Sequence, residues 1–285
     1  MITAVIGAGT MGTGIAQLFA QSGYSVTLFD VNETSLNKSV EKIKSHLQRA
    51  YKKNTLNEDV ESVLQRIKTT INIIDLKEVD YVTEAIPEKM ALKQSLLLLL
   101  ESICCEKAIF STNTSGLNIT ELSSVLKFPE RLIGTHYFYP PPVMSLVEVV
   151  RGHQTSNETF EIVKKLMESL NKKWIEVKES PLFVVNRILI PMINEAICVL
   201  EEGISSKEEI DEAMKLGAHH PIGPITLADT VGLDTVLNVM ETLYVETNNR
   251  KYQPSKLLYG MVEKGKLGRK TGEGFYQYMA KEATK

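Results

Sequence analysis

Hydrophobic residues in the first half of the chain fall into short runs of strand length that alternate with longer segments of helical periodicity. The runs at residues 2–6 and 24–30 are rich in β-branched residues, and the segment between them has helical spacing. Further strand-length runs lie at 79–86, 107–115, 131–139 and 145–152, with helical stretches at 32–51 and 89–103. This alternation predicts an α/β fold with a doubly wound, mainly parallel sheet that is covered on both faces.

The pattern changes near residue 180. The sequence FVVNRILIPMINEAICVLEEG at 183–203 has a long helical pattern, and the helical segments that follow leave hardly a strand candidate. We therefore predict a sheet domain over residues 1–182 and an all-helical C-terminal domain over 183–285. The boundary, between Ser180 and Asn186, rests on this change in periodicity alone.

Composition and charge narrow the classes of function. The 285 residues are 43% hydrophobic and 24% charged, with a net charge of −3, which gives no basic surface for nucleic acid. The apolar stretch at 95–105 is shorter than the ~20 residues of a membrane span. The start of the chain lacks secretory-signal features, and the cysteines Cys104, Cys105 and Cys198 have no metal-ligand spacing. We expect a cytoplasmic protein with no nucleic-acid partner, membrane segment or metal.

A glycine-rich turn follows the first predicted strand and opens the first predicted helix. Its sequence matches the G-x-G-x-x-G pattern, in which glycines allow a tight turn, close approach to a pyrophosphate and close helix–strand packing. Asp30 ends the second strand, where a carboxylate accepts hydrogen bonds from a ribose hydroxyl and repels a 2′-phosphate. The pattern predicts a Rossmann-type domain that binds NAD. The expected cofactor contacts in the turn are Gly7, Gly9, Thr10, Met11 and Gly12. The alternative is a loop that only turns the chain, with Asp30 as a strand-end cap.

His136 is the one histidine at the end of an apolar run that reads as a sheet strand. The carboxyl ends of such strands line the ligand crevice, and oxidation of an alcohol needs a base for the hydroxyl proton. Glu148 lies in a second apolar run, where an unpaired carboxylate is costly to bury, and it is the candidate to orient the imidazole. Residues 140–142 are all proline, which predicts a stiff, extended connection that reverses direction. The alternative is a core histidine and a solvated edge-strand glutamate.

Two further polar residues are candidates for the same site. Ser115 follows a predicted strand and has a hydroxyl for a substrate oxygen, but a Ser/Thr-rich turn that caps the next helix explains it equally well. Asn186 lies among apolar residues at the start of the helical domain, where a buried amide needs partners. A helix cap or a structural amide is the alternative interpretation of Asn186.

The chain resembles the 3-hydroxyacyl-CoA dehydrogenase family, and within it the bacterial 3-hydroxybutyryl-CoA dehydrogenases. The matching segments run nearly end to end: IGAGTMGTGIAQLFA, EAIPE, NTSGLNIT, PVMSLVEVV, VVNRILIPMINEA, AMKLGAHHPIGPITLADTVGLDT and KLGRKTGEGFYQY. The resemblance implies NAD-dependent interconversion of a (3S)-3-hydroxyacyl-CoA and a 3-ketoacyl-CoA. It also implies a Rossmann domain followed by a helical substrate-binding domain that forms most of a homodimer interface.

The resemblance also implies roles for the residues of the reaction centre. His136 matches the family's catalytic base and Glu148 its partner. Ser115 matches a hydroxyl that contacts the 3-oxygen of the substrate and the cofactor, and Asn186 matches an amide at the same place.

Cofactor and substrate contacts follow from the same resemblance. Asp30, Glu88 and Lys93 match positions that contact the nicotinamide nucleotide, and Lys270 matches a late cofactor contact. Lys53 matches a lysine that meets the CoA moiety, although a solvated helix face explains Lys52 and Lys53 equally well.

Three positions depart from the family pattern, of which Thr112, where serine is common, keeps the hydroxyl. Tyr139 stands where an asparagine usually contacts the nicotinamide end, so a phenol replaces an amide as the expected cofactor contact. Leu182 replaces a glycine at the domain junction. Two other functions are therefore kept beside the leading one: a dehydrogenase of another 3-hydroxy acid, and an inactive NAD-binding regulatory protein.

Overall fold

The computed structural model describes residues 1–278, and the chain divides into two compact units. The first unit comprises residues 1–183 and the second begins at Val184. Part of the predicted helical domain, residues 279–285, lies outside the described residues. Among residues 1–278 no helix has both the length and the apolar character that crossing a membrane requires.

The first unit is built on one eight-stranded sheet. Its strands are β1 (Thr3–Ile6), β2 (Val26–Phe29), β3 (Ile67–Thr70), β4 (Tyr81–Glu84), β5 (Ile109–Thr112), β6 (Leu132–Tyr137), β7 (Leu146–Arg151) and β8 (Lys173–Lys178). They lie in the order β3-β2-β1-β4-β5-β6-β7-β8. Only the β6–β7 pair is antiparallel; the remaining pairs are parallel. The predicted doubly wound, mainly parallel sheet is confirmed.

The two edge strands, β3 and β8, were not predicted from the sequence. β3 has the sequence IKTT and β8 has the sequence KWIEVK, and neither contains a continuous apolar run. Each has a neighbour on one side only, so it carries more polar residues than a central strand. The absence of an apolar run explains why hydrophobic patterning misses both.

Helices cover both faces of the sheet. They are α1 (Thr10–Gln21), α2 (Glu33–Lys52), α3 (Val60–Leu64), α4 (Met90–Ile103), α5 (Ile119–Ser123) and α6 (Asn157–Ser169). Because side chains alternate along a strand, β1 contributes Val5 to the core layer that contains Phe19 of α1. Its neighbour Ile6 belongs to the opposite layer, with Leu97 of α4.

The described residues of the second unit are mostly helical, and isolated β-bridges join Gly268 to Glu273 and Glu273 to Gln277. Its helices are α7 (Val185–Glu201), α8 (Lys207–Gly217), α9 (Pro224–Val231), α10 (Leu233–Thr247) and α11 (Lys256–Glu263). α7 packs against α9, α10 and α11, and its buried residues Ile190, Ile193 and Ile197 recur at helical spacing. Its sequence VNRILIPMINEAICVLE therefore forms the centre of this unit.

The turn between β1 and α1 requires glycine at two positions. Gly7 has φ +102°, and a Cβ there would lie 2.7 Å from the carbonyl oxygen of Ala85. A Cβ at Gly12 would lie 1.8 Å from the carbonyl oxygen of Gly7. At Gly9 a Cβ would meet no atom within 4 Å. The protein itself therefore requires glycine at positions 7 and 12, whereas Gly9 faces open space.

We predict that Gly12→Ala destabilises the protein without ligand by about 1–3 kcal/mol or more, because its methyl group collides with backbone. Gly9→Ala is the matched control and costs less than about 1 kcal/mol, as for a helix N-cap change. Urea unfolding of both variants measures the difference. Equal stability of the two variants would contradict this account of the turn.

Candidate active site

The amino-terminal end of α1 is open to an anion. Its N-cap is Gly9, no side chain caps the helix, and its first turn contains no acidic residue. The N–H groups of a first helical turn have no acceptor within the helix and carry partial positive charge. The open space above Gly9 and these N–H groups fit the pyrophosphate of a dinucleotide.

Asp30 lies beside this turn at the end of β2. Its Oδ2 accepts a hydrogen bond of 2.7 Å from the N–H of Ala8, and its Oδ1 accepts one of 2.9 Å from the N–H of Asn32. Two backbone donors thus fix the carboxylate next to the glycine-rich turn. A carboxylate held in this way suits a ribose hydroxyl and opposes a phosphate.

A cavity of about 790 Å³ begins at the turn and continues along α4. Its polar part includes Gly9, Thr10 and Asp30, and its other wall is apolar, with Val31, Ile86, Leu92, Leu96 and Leu99. An apolar wall suits the flat ring of a nucleobase, and the polar end suits ribose and phosphate. The residues present therefore fit NAD.

Strand register places His136 at the same edge of the sheet as the glycine-rich turn. Ile6 of β1 pairs with Glu84 of β4, and Glu84 pairs with Thr112 of β5. Thr112 in turn pairs with Gly134 of β6. Because His136 lies just beyond Gly134 on the same strand, it projects at the carboxyl edge.

His136 and Glu148 are directly opposite each other in the antiparallel β6–β7 pair. The imidazole Nδ1 lies 2.7 Å from Glu148 Oε2. His136 is 5% exposed and Glu148 is fully buried. The rings of Phe138 and Phe183 flank the imidazole, with centroids at 4.6 and 5.8 Å. A carboxylate bound at Nδ1 favours a proton there, which leaves Nε2 as the acceptor.

The connection between β6 and β7 is a tight turn. The carbonyl oxygen of Pro140 accepts hydrogen bonds from Val143 N–H at 2.9 Å and from Met144 N–H at 3.0 Å. The extended connection predicted from the prolines is therefore wrong in form, although it does reverse the chain. The fixed φ of proline suits a helical turn as well as extended backbone. Tyr139 precedes the turn and is 58% exposed.

The loop after β5 carries Ser115. Its N–H donates to Glu88 Oε1 at 2.8 Å, and Thr114 Oγ1 donates to the same oxygen at 2.5 Å. The hydroxyl of Ser115 makes no hydrogen bond to any residue in 1–278, and the side chain is exposed. Asn118, not Ser115, caps α5. The capping interpretation of Ser115 is therefore wrong.

Asn113 joins this loop to the strand of the histidine. Its side-chain Oδ1 accepts a hydrogen bond of 3.0 Å from the N–H of Tyr137, the residue after His136. Its own N–H donates to the carbonyl oxygen of Glu84 at 2.8 Å. The backbone positions of Ser115 and His136 are thus fixed relative to each other through one amide.

A buried ion pair supports the Ser115 loop. Glu84 is fully buried and Lys93 is 1% exposed, with Lys93 Nζ 2.6 Å from Glu84 Oε1. The same ammonium lies 3.2 Å from Glu88 Oε2 and donates to the carbonyl oxygen of Ile86 at 3.3 Å. Three acceptors from the protein thus surround an ammonium that has three donors. Thr112 Oγ1 also donates to Glu84 Oε2, at 2.6 Å.

Glu84 was missed by the analysis of the sequence, although a signal exists. It is a carboxylate at the end of an apolar run, the same feature that identified Glu148. A carboxylate in this setting needs a buried partner. The partner, Lys93, lies on α4 and was identified only through the family resemblance.

Three further predicted site residues are Lys53 of the first unit and Asn186 and Lys270 of the second. Lys53 is the exposed C-cap residue of α2. Asn186 is half-buried in α7, whose N-cap is Val184, so the helix-cap interpretation is wrong. Lys270 lies 2.5 Å from both carboxylate oxygens of Asp234 within the second unit.

Leu182 adopts a backbone conformation that favours glycine, the residue that the family resemblance places at this position. Its φ is +58°, in the left-handed region, and that of Phe183 is +59°. Leu182 is 5% exposed and packs on the loop of Ser115, because a Cβ at Gly116 would lie 2.3 Å from its Cδ2. The substitution therefore adds backbone strain and an apolar contact at this junction.

Among residues 1–278 no cluster of three or more His, Cys, Asp or Glu side chains has an arrangement that could hold a metal ion.

Two family models together match almost all of the described chain. The model of the 3-hydroxyacyl-CoA dehydrogenase NAD-binding domain matches residues 2–180, and that of the C-terminal domain matches residues 183–278. The chain belongs to the 3-hydroxyacyl-CoA dehydrogenase family. The match to the first model confirms the NAD cofactor that we predicted from the glycine-rich turn and Asp30.

Individual relatives agree with this assignment. The chain is 47% identical to a 3-hydroxybutyryl-CoA dehydrogenase of Clostridioides difficile over 98% of this chain and 99% of the relative. It is 41% identical to the mitochondrial hydroxyacyl-coenzyme A dehydrogenase of Rattus norvegicus over 96% of this chain and 90% of the relative. The crystal structure of (S)-3-hydroxybutyryl-CoA dehydrogenase from Ralstonia eutropha superposes with a TM-score of 0.95 at 50% identity. The superposition covers 98% of this chain and 99% of the other.

The buried ion pair gives a stability prediction. Lys93→Met leaves the carboxylate of Glu84 buried without its counter-charge, and we expect a loss of about 3–5 kcal/mol in the free energy of unfolding. Lys89→Met, at an exposed lysine just before the same helix, is the control and changes stability by less than about 0.5 kcal/mol. Urea denaturation of the ligand-free proteins tests this, and a Lys93 variant as stable as the control would refute the account of the pair.

Proposed function

We propose that this chain is an NAD-dependent dehydrogenase that interconverts a (3S)-3-hydroxyacyl-CoA and the corresponding 3-ketoacyl-CoA. The observation that carries the proposal is the 2.7 Å contact between His136 and buried Glu148 at the sheet edge that also bears the glycine-rich turn. A base with a fixed tautomer beside a dinucleotide site is what oxidation of an alcohol requires.

His136 handles the proton of the reaction. With Nδ1 donating to Glu148, the lone pair of Nε2 takes the proton of the 3-hydroxyl group and returns it in the reverse direction. When bound, NAD supplies the hydride acceptor for C3 of the substrate. The imidazolium forms in a nearly water-free setting, and the carboxylate of Glu148 stabilises its charge.

The hydroxyl of Ser115 binds the 3-oxygen and the cofactor in this proposal. Three observations support this role of Ser115. The side chain is exposed, its hydroxyl makes no hydrogen bond within residues 1–278, and its loop is joined to β6 by the hydrogen bond between Asn113 and Tyr137. The family motif that contains Asn186 assigns its side chain to the same 3-oxygen. The side-chain amide of Asn186 is half-buried and makes no hydrogen bond to residues 1–278.

The cofactor contacts are assigned to the residues that the motifs identify. The turn from Gly7 to Gly12, with Gly9, Thr10 and Met11, binds the pyrophosphate, and Asp30 binds the adenosine ribose. Glu88, Lys93 and Tyr139 are assigned as contacts of the nicotinamide nucleotide, and Lys93 also holds Glu88. Lys270 is assigned as a cofactor contact and Lys53 as a contact of CoA phosphate, both on the family resemblance.

The acyl group, assembly and location belong to the same proposal. Relatives at 44–47% identity bear the name 3-hydroxybutyryl-CoA dehydrogenase, which favours 3-hydroxybutyryl-CoA and acetoacetyl-CoA as the substrate pair. A homodimer through the second unit is supported by its highly exposed apolar residues Ile188, Ile204, Leu216 and Val245. A cytoplasmic location is in keeping with the free thiols of Cys104, Cys105 and Cys198.

Turnover of acetoacetyl-CoA with NADH, followed by NADH absorbance, is the direct test of the function. We expect NADH consumption that depends on the CoA ester. NADH binding without consumption would identify an inactive binding protein. Consumption only with a free 3-keto acid would identify a dehydrogenase of another 3-hydroxy acid.

We expect His136→Gln to lower kcat about 10²–10⁴-fold, because glutamine cannot take the proton of the hydroxyl group in the transition state. NADH binding, measured by fluorescence, persists. His153→Gln, at an exposed histidine, is the control and keeps wild-type turnover. Turnover of the His136 variant at the wild-type rate would remove His136 from this role.

Asp30→Asn relaxes the preference for NADH over NADPH, because it removes the charge that repels a 2′-phosphate. We expect the ratio of kcat/KM for NADH to kcat/KM for NADPH to fall on the order of tenfold or more. Asn keeps the size of the side chain and one of the two oxygens that accept the N–H groups of Ala8 and Asn32, and its NH2 group takes the place of the other oxygen. An unchanged ratio would count against the ribose assignment.

A further inference from the structure

Lys172 is a buried cation that the mechanism above does not use. It is 7% exposed and lies in the turn between α6 and β8. Its Nζ donates to the carbonyl oxygen of Pro141 at 2.7 Å and to that of Met144 at 2.8 Å. No carboxylate within residues 1–278 lies at salt-bridge distance from it. Its charge is therefore held by carbonyl oxygens of a single turn.

Burial of this ammonium is unfavourable and lowers the pKa of Lys172. A methionine would fill similar space without the cost of removing a charge from water. What the charged group adds is a pair of charge-assisted hydrogen bonds, which are shorter and stronger than neutral ones. These bonds fix both carbonyl groups of the turn at once.

The turn held by Lys172 joins the strands of His136 and Glu148. The N–H of Lys173 donates to the carbonyl oxygen of Ser145 at 2.8 Å, and Lys173 pairs with Leu146. Lys172 is thereby anchored beside the start of β7. Its side chain reaches back across the turn that separates β7 from β6.

The same turn rests on the nucleotide-binding helix. A Cβ at Gly14 of α1 would lie 2.6 Å from Cδ of Pro141, so the proline ring packs directly on the helix backbone. Pro141 thus contacts α1 through its ring and Lys172 through its carbonyl oxygen. The position of the turn relative to α1 is set from both sides.

We propose that Lys172 is a positioning residue for the reaction: its ammonium holds the turn at 140–144 so that His136 and Glu148 stay in register and in place relative to α1. This inference rests on the proposed function, because it assigns Lys172 an effect on turnover through His136. Lys172 itself transfers no proton and touches no substrate.

The experiment compares Lys172→Met, which keeps the length and loses the charge, with Lys173→Met at the adjacent exposed lysine. We expect Lys172→Met to lower kcat about 10–100-fold, as for a small displacement of a catalytic group, with NADH affinity and KM changed less than about twofold. Lys173→Met keeps wild-type kcat. Lys172→Arg, which keeps the charge, recovers part of the loss.

A double variant separates positioning from general loss of structure. If Lys172 acts through His136, Lys172→Met adds no further loss of kcat in the His136→Gln background. A loss that multiplies in the double variant overturns the proposal, as does wild-type kcat in Lys172→Met. If Lys172→Met does not fold, kcat is measured instead for Lys172→Gln alone and combined with His136→Gln. The same two outcomes then overturn the proposal.

The outcomes also distinguish this inference from the proposed function. If the wild-type protein does not consume NADH with acetoacetyl-CoA, or His136→Gln keeps full activity, the proposed function fails. If His136→Gln loses activity and Lys172→Met keeps it, only the inference about Lys172 fails.

Discussion

The antiparallel register between β6 and β7 is the constraint on which the arrangement of the site depends. It sets His136 opposite Glu148 and brings imidazole and carboxylate to 2.7 Å. A slip of one residue would turn the side chains of β7 to the other face of the sheet and break the pair. The register is fixed locally by the hydrogen-bonded turn at Pro140–Met144 and by β8, which pairs with the far side of β7.

Buried charges at this edge of the sheet are held by partners of three kinds. Glu148 faces an imidazole, Glu84 faces the ammonium of Lys93, and Lys172 faces two carbonyl oxygens. Each group is costly to bury alone and directional once paired, so each fixes a different segment of backbone. The proposed reaction centre is therefore organised by the protein before any ligand binds, which lowers the reorganisation needed during the reaction.

The sequence predicted the parts of the fold that have strong patterns. Apolar runs identified β1, β2 and β4–β7, and the glycine-rich turn with Asp30 identified the dinucleotide site. The edge strands β3 and β8 escaped because exposure on one side allows polar residues, as in the IKTT segment.

Within the site, sequence pattern found the pair but not its supports. His136 and Glu148 stand out as polar residues in apolar runs. Lys172 and Asn113 do not, because each acts through backbone atoms of a segment that is distant in sequence, and only the folded chain brings them together. Residue types at those positions carry no local sign of such contacts.

A crystal structure with NAD⁺ and acetoacetyl-CoA bound tests the central claim most directly. We predict that the protonated Nε2 of His136 donates a hydrogen bond to the 3-keto oxygen, at about 2.6–3.2 Å, while Nδ1–H stays bonded to Glu148. A complex in which that oxygen is bound elsewhere, with the imidazole turned away from it or separated from Glu148, would contradict the account.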